Sequence, residues 1–573
     1  MNRIQHRTHR RLIDSILQAA KLAGIAIVCL RLIWAAACLA QTSPPVKQPA
    51  RAERKTQLKL TPEQERGLRF LKSAESGAVG LQPDMRAFVL WRAAYAYTKI
   101  DARKAGSVTK ESFTASEAIE DPADSNQCGP PGSAGDIKSW VQERVLTEMI
   151  RKEQISEAEE LLPRATAHVR TQVTTQLVQH YVGKKDFARA LTFLSQLADA
   201  PQYPFVAAAD LLSSLPPEQS GDRMTIFNQA LNNFQQHGDS EGLTTDGIGG
   251  FIEKTWTYVP SALVLEAIDK VLEQAKSQES HSHYSMVSEN GGIALKSSYE
   301  LRLFQLLPVL EELDKEKADS LLRDDAEMQA QLKKYPKGMA SLNSNGGLYS
   351  YGVTDDDAPT GAGVGAPPQV EAQLMHRINE VTKEAEKDPG QALADALGLT
   401  LQGQGPMQQS PRVQALMAIA QSAAKAKPSI AKSALDEIMK VEDQLTPQEI
   451  AGAANLPTIY MGLGDEEAAK KAIKGMVKAA EKLYAHDTDD DDPNKAFKGT
   501  WPSADLWRKC VQAAAKISPA LAEEIITEIP DPDIAAAQRV AFASSLLGAS
   551  GEPMIVSDCR KNWSGFTMST EAP

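Results

Sequence analysis

The sequence has 573 residues, of which 42% are hydrophobic and 24% are charged. This is ordinary globular composition, and the length suffices for several domains or one long array. Aromatic residues make up only 6% and alanine is plentiful, which favours packed helices over a β-sandwich. The net charge is −12, but residues 1–40 contain six basic residues and one acidic residue, so the rest of the chain carries −17. Such an acidic body argues against binding to nucleic acid, which needs Lys and Arg at the phosphates.

The first 40 residues have the layout of a secretory signal. A basic segment, MNRIQHRTHRRL, precedes an apolar run from Leu22 to Ala40, which Arg31 interrupts. We predict a signal peptide or N-terminal anchor over residues 1–40, with cleavage after Ala40. An uncleaved anchor helix and a lipid on Cys38 stay open as alternatives, because about 20 apolar residues can span a bilayer. In each case the basic residues stay inside and the body of the chain is exported.

The cysteines do not predict a disulfide framework. Cys29 and Cys38 lie in the N-terminal segment, which leaves Cys128, Cys510 and Cys559, and none of these belongs to a C-x-x-C pair. Three cysteines allow one bridge in an oxidising compartment, or none. We expect a periplasmic or extracellular protein of a bacterial-type cell, with membrane contact only through residues 22–40 if these are uncleaved or lipidated.

Signals for helix starts recur along the chain. Residues 41–60 are polar and proline-rich, which predicts a flexible spacer. Thr61 then suits an N-cap, and Gln64 can close a capping box with it. The same pattern recurs from Thr446 to Glu449 and from Ser156 to Glu159. Repeated signals of this kind predict repeated helix starts.

Apolar residues spaced three and four apart predict two helical arrays, over residues 61–336 and 371–548. Residues 337–370 lie between the arrays. They are rich in Gly, Ser, Asp and Pro, which predicts a disordered linker. Other polar stretches are predicted to be loops or a C-terminal tail: 121–136, 277–298, 486–500 and 549–573.

The clearest helical hairpin runs from Leu456 to Tyr484. Gly462 and Gly464 mark its turn, where glycine adopts a positive φ at little cost. Asp465 is placed to cap the second helix. The apolar positions of that helix follow helical spacing and predict one buried face: Ala469, Ala472, Ile473, Met476, Ala480 and Leu483. A single hairpin cannot bury such a face alone, whereas stacked copies can.

Two of the predicted hairpins share a residue spacing. Leu177, Tyr181 and Ala190 repeat the spacing of Leu456, Tyr460 and Ala469. In this spacing the chain resembles a degenerate tetratricopeptide-type repeat protein, although HEAT-like or Sel1-like arrays would fit as well. The resemblance implies an all-α solenoid of stacked helical hairpins with a groove that binds partners. We expect the first helix of each hairpin to line that groove.

Several short patterns look like functional motifs, but each lacks what the chemistry requires. His281 and His283 have no third ligand at a zinc spacing, and the acidic run 487–492 lacks the Gly and Glu of an EF-hand. The glycines at 361, 363 and 365 do not follow a strand, and the Ser107–Lys110 pattern has no Lys-Thr-Gly partner. We therefore predict no catalytic residue, no metal site and no cofactor, with weak Ca²⁺ binding by the acidic run kept open.

Four aromatic residues are candidate partner contacts. Trp256 and Tyr258 flank Thr257, and Tyr349 and Tyr351 lie in a Gly/Ser-rich stretch. The alternatives are core packing for Trp256 and disorder for Tyr349 and Tyr351, and we favour these.

These observations predict an exported, non-enzymatic scaffold that holds a peptide or an envelope protein in helical-repeat grooves. A protein or peptide partner is expected, and nucleic acid is not. Two alternatives stay open. One is an envelope hydrolase with an α-superhelical body, acting for example on cell-wall glycan. The other is a structural envelope component tethered by its N-terminus.

Overall fold

The computed structural model describes residues 60–120, 134–238, 247–277, 282–288, 291–323, 325–343, 348–355, 369–401, 410–489 and 497–549. Every described element belongs to the unit Leu60–Pro573. The predicted signal segment, most of the spacer, Cys128 and Cys559 lie outside the described residues.

The described residues form 25 α-helices, most of them packed in neighbouring pairs, which confirms the predicted all-α solenoid. The helices before the first strand are α1 Pro62–Gly77, α2 Pro83–Tyr97, α3 Ala102–Glu117, α4 Ala134–Arg151, α5 Ile155–Leu161, α6 Ala167–Gly183, α7 Phe187–Ser195, α8 Phe205–Ser214, α9 Ser220–His237, α10 Ile248–Thr255 and α11 Ser261–Ser277.

The remaining elements include a small sheet and the C-terminal helices. They are β1 Ser282–Ser288, β2 Gly291–Leu295, α12 Ser298–Leu313, α13 Lys315–Leu322, α14 Ala326–Lys334, α15 Met339–Asn343, β3 Leu348–Asp355, α16 Gln369–Lys387, α17 Pro389–Leu397, α18 Pro411–Ala423, α19 Pro428–Val441, α20 Pro447–Gly452, α21 Leu456–Gly462, α22 Glu466–Asp489, α23 Pro502–Ile517, α24 Pro519–Glu528 and α25 Pro532–Leu546.

The first helices of successive pairs pack on one another in an unbroken order. That order is α16, α18, α21, α23, α25, α2, α4, α6, α8, α10 and α12, and each helix contacts the next. The partner of each, its second helix, is α17, α19, α22, α24, α1, α3, α5, α7, α9, α11 and α13 in turn. The two predicted arrays therefore stack on each other through α25 and α2, the helices near the two ends of the described chain.

One helical pair is assembled from both ends of the described chain. The last helix, α25, is a first helix, and its second helix is α1. A hydrogen bond repeated along the array supports this assignment. In three pairs a tyrosine hydroxyl on a first helix donates to a carboxylate on the preceding second helix: Tyr97 to Glu75 (2.7 Å), Tyr181 to Glu159 (2.7 Å) and Tyr460 to Asp436 (2.8 Å). Glu75 lies on α1. Helix α1 is therefore the second helix that precedes α2 in the array, as α5 precedes α6 and α19 precedes α21.

The predicted loop 277–298 and linker 337–370 contribute three strands, which corrects both predictions for those residues. The strands form an antiparallel sheet in the order β2–β1–β3. Tyr284 pairs with Leu295 on one side and Val353 on the other, and both Tyr284 and Leu295 are buried. Tyr284 and Val353 are 69 residues apart, so the pairing of β1 with β3 leaves no local signal. Strands β1 and β2 are neighbours in sequence, but their polar, Ser- and Gly-rich composition suggested a loop.

Two of the three predicted capping boxes are confirmed. Thr61 and Thr446 each cap a helix with their side chains. The side chains of Gln64 and Glu449 in turn accept a hydrogen bond from the backbone N–H of the capping threonine. The prediction at Ser156 is wrong, because α5 begins at Ile155 after a Gln154 cap that makes no side-chain hydrogen bond. Helix α5 instead follows α4 through a tight turn.

That tight turn recurs in three hairpins and is the strongest local repeat in the fold. The backbone N–H of the capping position donates to the carbonyl five residues earlier, and the residue before it has a positive φ. The bonds are Gln154 N to Met149 O, Asp186 N to Tyr181 O and Asp465 N to Tyr460 O, each 2.9 Å. The positive φ falls on Glu153 (59°), Lys185 (60°) and Gly464 (78°). The predicted turn at Gly464 is confirmed, and the apolar face that follows it is buried.

The turn predicts opposite effects for exchanging residues at equivalent sites. Lys185→Gly should raise the urea midpoint of unfolding, because it relieves a left-handed conformation that costs a residue with a Cβ about 1 kcal/mol. Gly464→Ala should lower the midpoint by a similar free energy. Circular dichroism during urea titration measures both, with the Asp186 and Asp465 caps left intact as matched backgrounds. Shifts of the same sign would contradict the shared geometry.

Candidate functional site

The residues considered as metal ligands do not come together in the described structure. His281 and residues 490–492 lie outside the described ranges. The Oδ2 atom of Asp487 accepts a hydrogen bond from the backbone N–H of Ser503 (3.1 Å), so this residue supports the start of α23. Within the described ranges, no three His, Cys, Asp or Glu side chains are grouped to hold a metal ion.

The other candidates are accounted for by packing or exposure. Ser107 and Lys110 are exposed on α3, and the Lys110 ammonium lies 3.0 Å from Glu157 Oε2. Cys510 is a buried free thiol, and burial raises the pKa of that thiol, so it is held in its unreactive form. The glycines at 361, 363 and 365 lie outside the described residues.

The aromatic candidates divide between the core and the surface. Trp256 packs against the main hydrophobic core, as predicted. Tyr258 is 39% exposed, and the Arg223 guanidinium lies 5.2 Å from the centre of its ring. Tyr349 and Tyr351 belong to β3, where Tyr351 pairs with Met286. The prediction of disorder for the two tyrosines is therefore wrong.

A polar cavity lies between two consecutive first helices, α6 and α8. Its volume is about 80 Å³. Thr171, Gln172, Thr175 and Gln179 form one face of α6, because their spacing returns to the same side of a helix. The residues that line the cavity are uncharged: Thr171, Gln172, Thr175, Gln179, Gln202, Pro204, Val206 and Ala207. We call this cavity the α6–α8 groove.

The two groove threonines of α6 are positioned by bonds within the helix, and a third bond ties α6 to its neighbour α4. The hydroxyls of Thr171 and Thr175 donate to the carbonyls one turn earlier, at 3.2 and 2.9 Å. The adjacent Gln176 accepts from the Thr147 hydroxyl of α4 at 3.0 Å. A hydroxyl whose proton is used in this way still offers lone pairs as an acceptor.

This groove can recognise a ligand that needs both donors and acceptors but carries no charge. A glutamine side chain offers two N–H donors and a carbonyl acceptor. A peptide backbone presents one donor and one acceptor at each residue, so the two are complementary. Val206 and Ala207 supply apolar surface beside the polar groups, as binding sites for extended peptides commonly do.

A buried ionic cluster that was not predicted from the sequence lies where α25 meets α2. The Lys498 ammonium lies 2.8 Å from Asp531 Oδ2 and 2.6 Å from Asp533 Oδ2. The side chains of both aspartates are only 5% exposed, and that of Lys498 is 29% exposed. Asp533 also accepts from the Gln82 backbone N–H (3.4 Å), next to the start of α2. The cluster joins the two ends of the described chain.

Proton affinities in this cluster follow burial and pairing. Burial by itself raises the pKa of Asp531, but hydrogen bonds from Lys498 and the Ile534 backbone outweigh it, so the pKa lies below its ordinary value. Burial by itself lowers the pKa of Lys498, and the bonds to Asp531 and Asp533 outweigh it in turn, so the pKa is raised. Both shifts favour the charged pair. Lys498 and the two aspartates therefore act as a structural clamp between the start of α25 and the start of α2.

One further carboxylate has the proton affinity of a general acid. Burial raises the pKa of Glu253 to about 7, although a hydrogen bond from Gln305 and the charge of Arg302 oppose the shift. Gln305 Nε2 donates to Glu253 Oε2 at 3.4 Å, and Arg302 donates to Gln305 Oε1 at 2.9 Å. An amide and a guanidinium are neither nucleophile nor base. This arrangement fits the packing of α10 against α12 better than catalysis.

The assignment of the fold depends on the helix packing described above. No protein-family model matches the sequence, and no curated protein matches it. One matching solved structure is described as a "circular tandem repeat protein with novel repeat topology and enhanced subunit contact surfaces". It shares 12% identity over 87% of this chain and 98% of its own, with a TM-score of 0.15, which is too low to carry an argument. In the described part of the chain, no helix has the length and hydropathy needed to cross a bilayer.

Proposed function

We propose that this protein holds an extended peptide segment of a partner protein along its first helices, without transforming it. The observation that carries the proposal is the uncharged, donor- and acceptor-rich lining of the α6–α8 groove. Its place between two first helices matches the mode of partner binding that the resemblance to tetratricopeptide repeats implies. The proposed occupant is an uncharged stretch of extended backbone, because a charged group would find no counter-ion among the groove's lining residues.

Site-specific photocrosslinking tests the proposal. A photoreactive amino acid replaces Gln179, on the groove face of α6, or Thr192, on the second helix α7 of the same hairpin. Both positions are exposed. We expect a discrete protein adduct from position 179 in cells and a much weaker one from position 192. Equal adducts from both positions would contradict groove binding.

A charge placed in the groove should block the same interaction. Thr175→Arg inserts a cation into the uncharged lining and is expected to weaken binding to the crosslinked partner at least about tenfold. Thr192→Arg carries the same charge on α7 and should leave the affinity unchanged. Titration calorimetry with the purified partner measures both. The hydrolase alternative replaces this proposal under two conditions. Position 179 forms no protein adduct and no partner binds, and the purified protein hydrolyses envelope glycan.

We also propose that the protein acts outside the cytoplasm. The supporting observation is the basic segment and apolar run within residues 1–40. Sequencing the N-terminus of the mature protein tests it. A start at Gln41 would support cleavage after Ala40, a lipidated N-terminal Cys38 would support tethering, and an intact Met1 in the cytosolic fraction would overturn export.

A further inference from the structure

We propose that a second cavity, between α18 and α20, selects a lysine or arginine side chain of the bound peptide. This inference rests on the proposed function, because it names a specificity site for the same kind of ligand. The cavity measures about 190 Å³, many times the space that a single water needs. It is lined by Ser410, Val413, Gln414, Met417, Ala418, Gln421, Glu449 and Gly452.

The charge in this cavity comes from Glu449. This residue is only 5% exposed. Its Oε2 atom accepts hydrogen bonds from the backbone N–H of Thr446 (2.8 Å) and from the Thr446 hydroxyl (3.1 Å). These bonds fix the carboxylate in one orientation. A buried carboxylate held in this way favours a cation beside it and opposes an anion.

The rest of the lining suits the stem of a long basic side chain. Val413, Met417 and Ala418 provide an apolar wall on α18, against which methylene groups can pack while the charged end reaches a carboxylate. Gln414 and Gln421 add amide oxygens that can accept further N–H bonds. Methylene stem, several N–H donors and positive charge occur together in lysine and arginine.

The two cavities would then divide the recognition of one ligand. Uncharged amides and hydroxyls in the α6–α8 groove suit backbone, whereas the α18–α20 cavity adds a charge that can discriminate between side chains. The groove lies between the first helices α6 and α8, and the first helix α18 forms one wall of the second cavity, while Glu449 is contributed by α20, which belongs to none of the helical pairs. This division predicts that charge preference can be removed without abolishing peptide binding.

Selection from a phage-displayed library of random peptides about 30 residues long tests the inference, with purified full-length protein as the target. Extended, such a peptide spans on the order of 100 Å, enough to reach from α18 to α6 across the intervening first helices, which pack roughly 8–10 Å apart. The wild type should enrich peptides with Lys or Arg at one position. Glu449→Gln should still select peptides but reduce that enrichment roughly tenfold, the scale of one lost charged hydrogen bond. Glutamine at this position can still close the capping box with Thr446, so the fold is retained. Ala418→Phe, which fills the cavity without touching the cap, should lose the same preference.

A selected peptide then supplies the quantitative check. Replacing its basic residue with methionine should weaken binding to the wild type about tenfold and leave binding to Glu449→Gln unchanged. Peptides selected without a basic preference, or a preference that survives in both variants, would overturn the cation pocket and leave groove binding standing. Failure to select any peptide from the wild type would overturn both proposals.

Discussion

Replacing Lys498 with methionine is expected to lower the free energy of unfolding by roughly 3–5 kcal/mol, the scale for breaking a buried ion pair from one side. The variant leaves the Asp531 and Asp533 carboxylates, each 5% exposed, without the ammonium that both contact. Methionine preserves most of the volume beside Trp501, whose ring centre lies 6.0 Å from the ammonium. The expected loss is therefore electrostatic, with little contribution from packing.

The loss of stability in Lys498→Met should depend on pH in a way that identifies the ion pair. The pKa of Asp531 is lowered in the folded protein, so its contribution is present above its unfolded pKa of about 3.9 and is lost as the pH falls through the folded pKa. The pKa of Lys498 is raised, so its contribution is present below about 10.4 and is lost as the pH rises through the folded pKa. The difference between wild type and Lys498→Met should be largest near neutral pH. It should shrink as the pH falls, beginning above about 3.9, because without the ammonium the two buried carboxylates of the variant take up a proton more readily than an isolated aspartate. It should shrink again at high pH, as Lys498 of the wild type loses its proton.

Urea denaturation at several pH values measures the difference, and a surface lysine provides the matched control. Lys470 pairs with Glu466 at 2.8 Å on the exposed side of α22, where solvent screening leaves an ion pair little to contribute to stability. Lys470→Met should therefore change stability little. The triple variant Lys498→Met/Asp531→Asn/Asp533→Asn should recover part of the loss, because it removes the unpaired charges. A Lys498→Met effect no larger than that of Lys470→Met would refute the clamp.

Local features of this fold could be predicted from sequence because their causes lie within a few residues. The turn at Gly464, the cap at Asp465 and the buried face from Ala469 to Leu483 depend on backbone preference and helical spacing alone. The equivalent turn at Glu153 has a weaker sequence signal, because Met149 stands where the other two hairpins have tyrosine. What remains is Ala158, nine residues after Met149, the same spacing as Tyr181 to Ala190.

Features that join distant segments could not be predicted in the same way. The apolar face of α1 predicts that another element packs on it. The sequence of α1 does not indicate that this element is α25. Likewise Asp531 and Asp533 read as ordinary helix-start residues until Lys498 is placed beside them. The α6–α8 groove could be predicted only in part. The run of threonines and glutamines from Thr171 to Gln179 was visible, yet only the packing of α6 against α8 turns it into one side of a cavity.

The pairing of the first and last described helices predicts the second large effect. Phe542→Ala on α25 should lower the free energy of unfolding by about 3–5 kcal/mol, the usual range for a buried phenylalanine. Phe542 is 2% exposed, and its ring meets that of Phe70 on α1 edge-on, with centres 5.2 Å apart. The helices also approach closely at Gly67, where a Cβ would lie 3.0 Å from Leu546 Cβ.

A double-mutant cycle separates the contact between the ends from the burial of each ring. If α1 packs on α25, then Phe70→Ala and Phe542→Ala should be non-additive by about 0.5–1.5 kcal/mol, the coupling expected for an aromatic pair. The stacked pair Tyr181 and Phe193, with centres 5.7 Å apart within one hairpin, is the matched control and should show similar coupling. Hydrogen exchange should also show that Phe542→Ala lowers the protection of α1 before that of α6, because contact with a neighbouring helix is what stabilises each member of an array. Additive effects at Phe70 and Phe542 beside a coupled control pair would mean that α1 is not the second helix of α25.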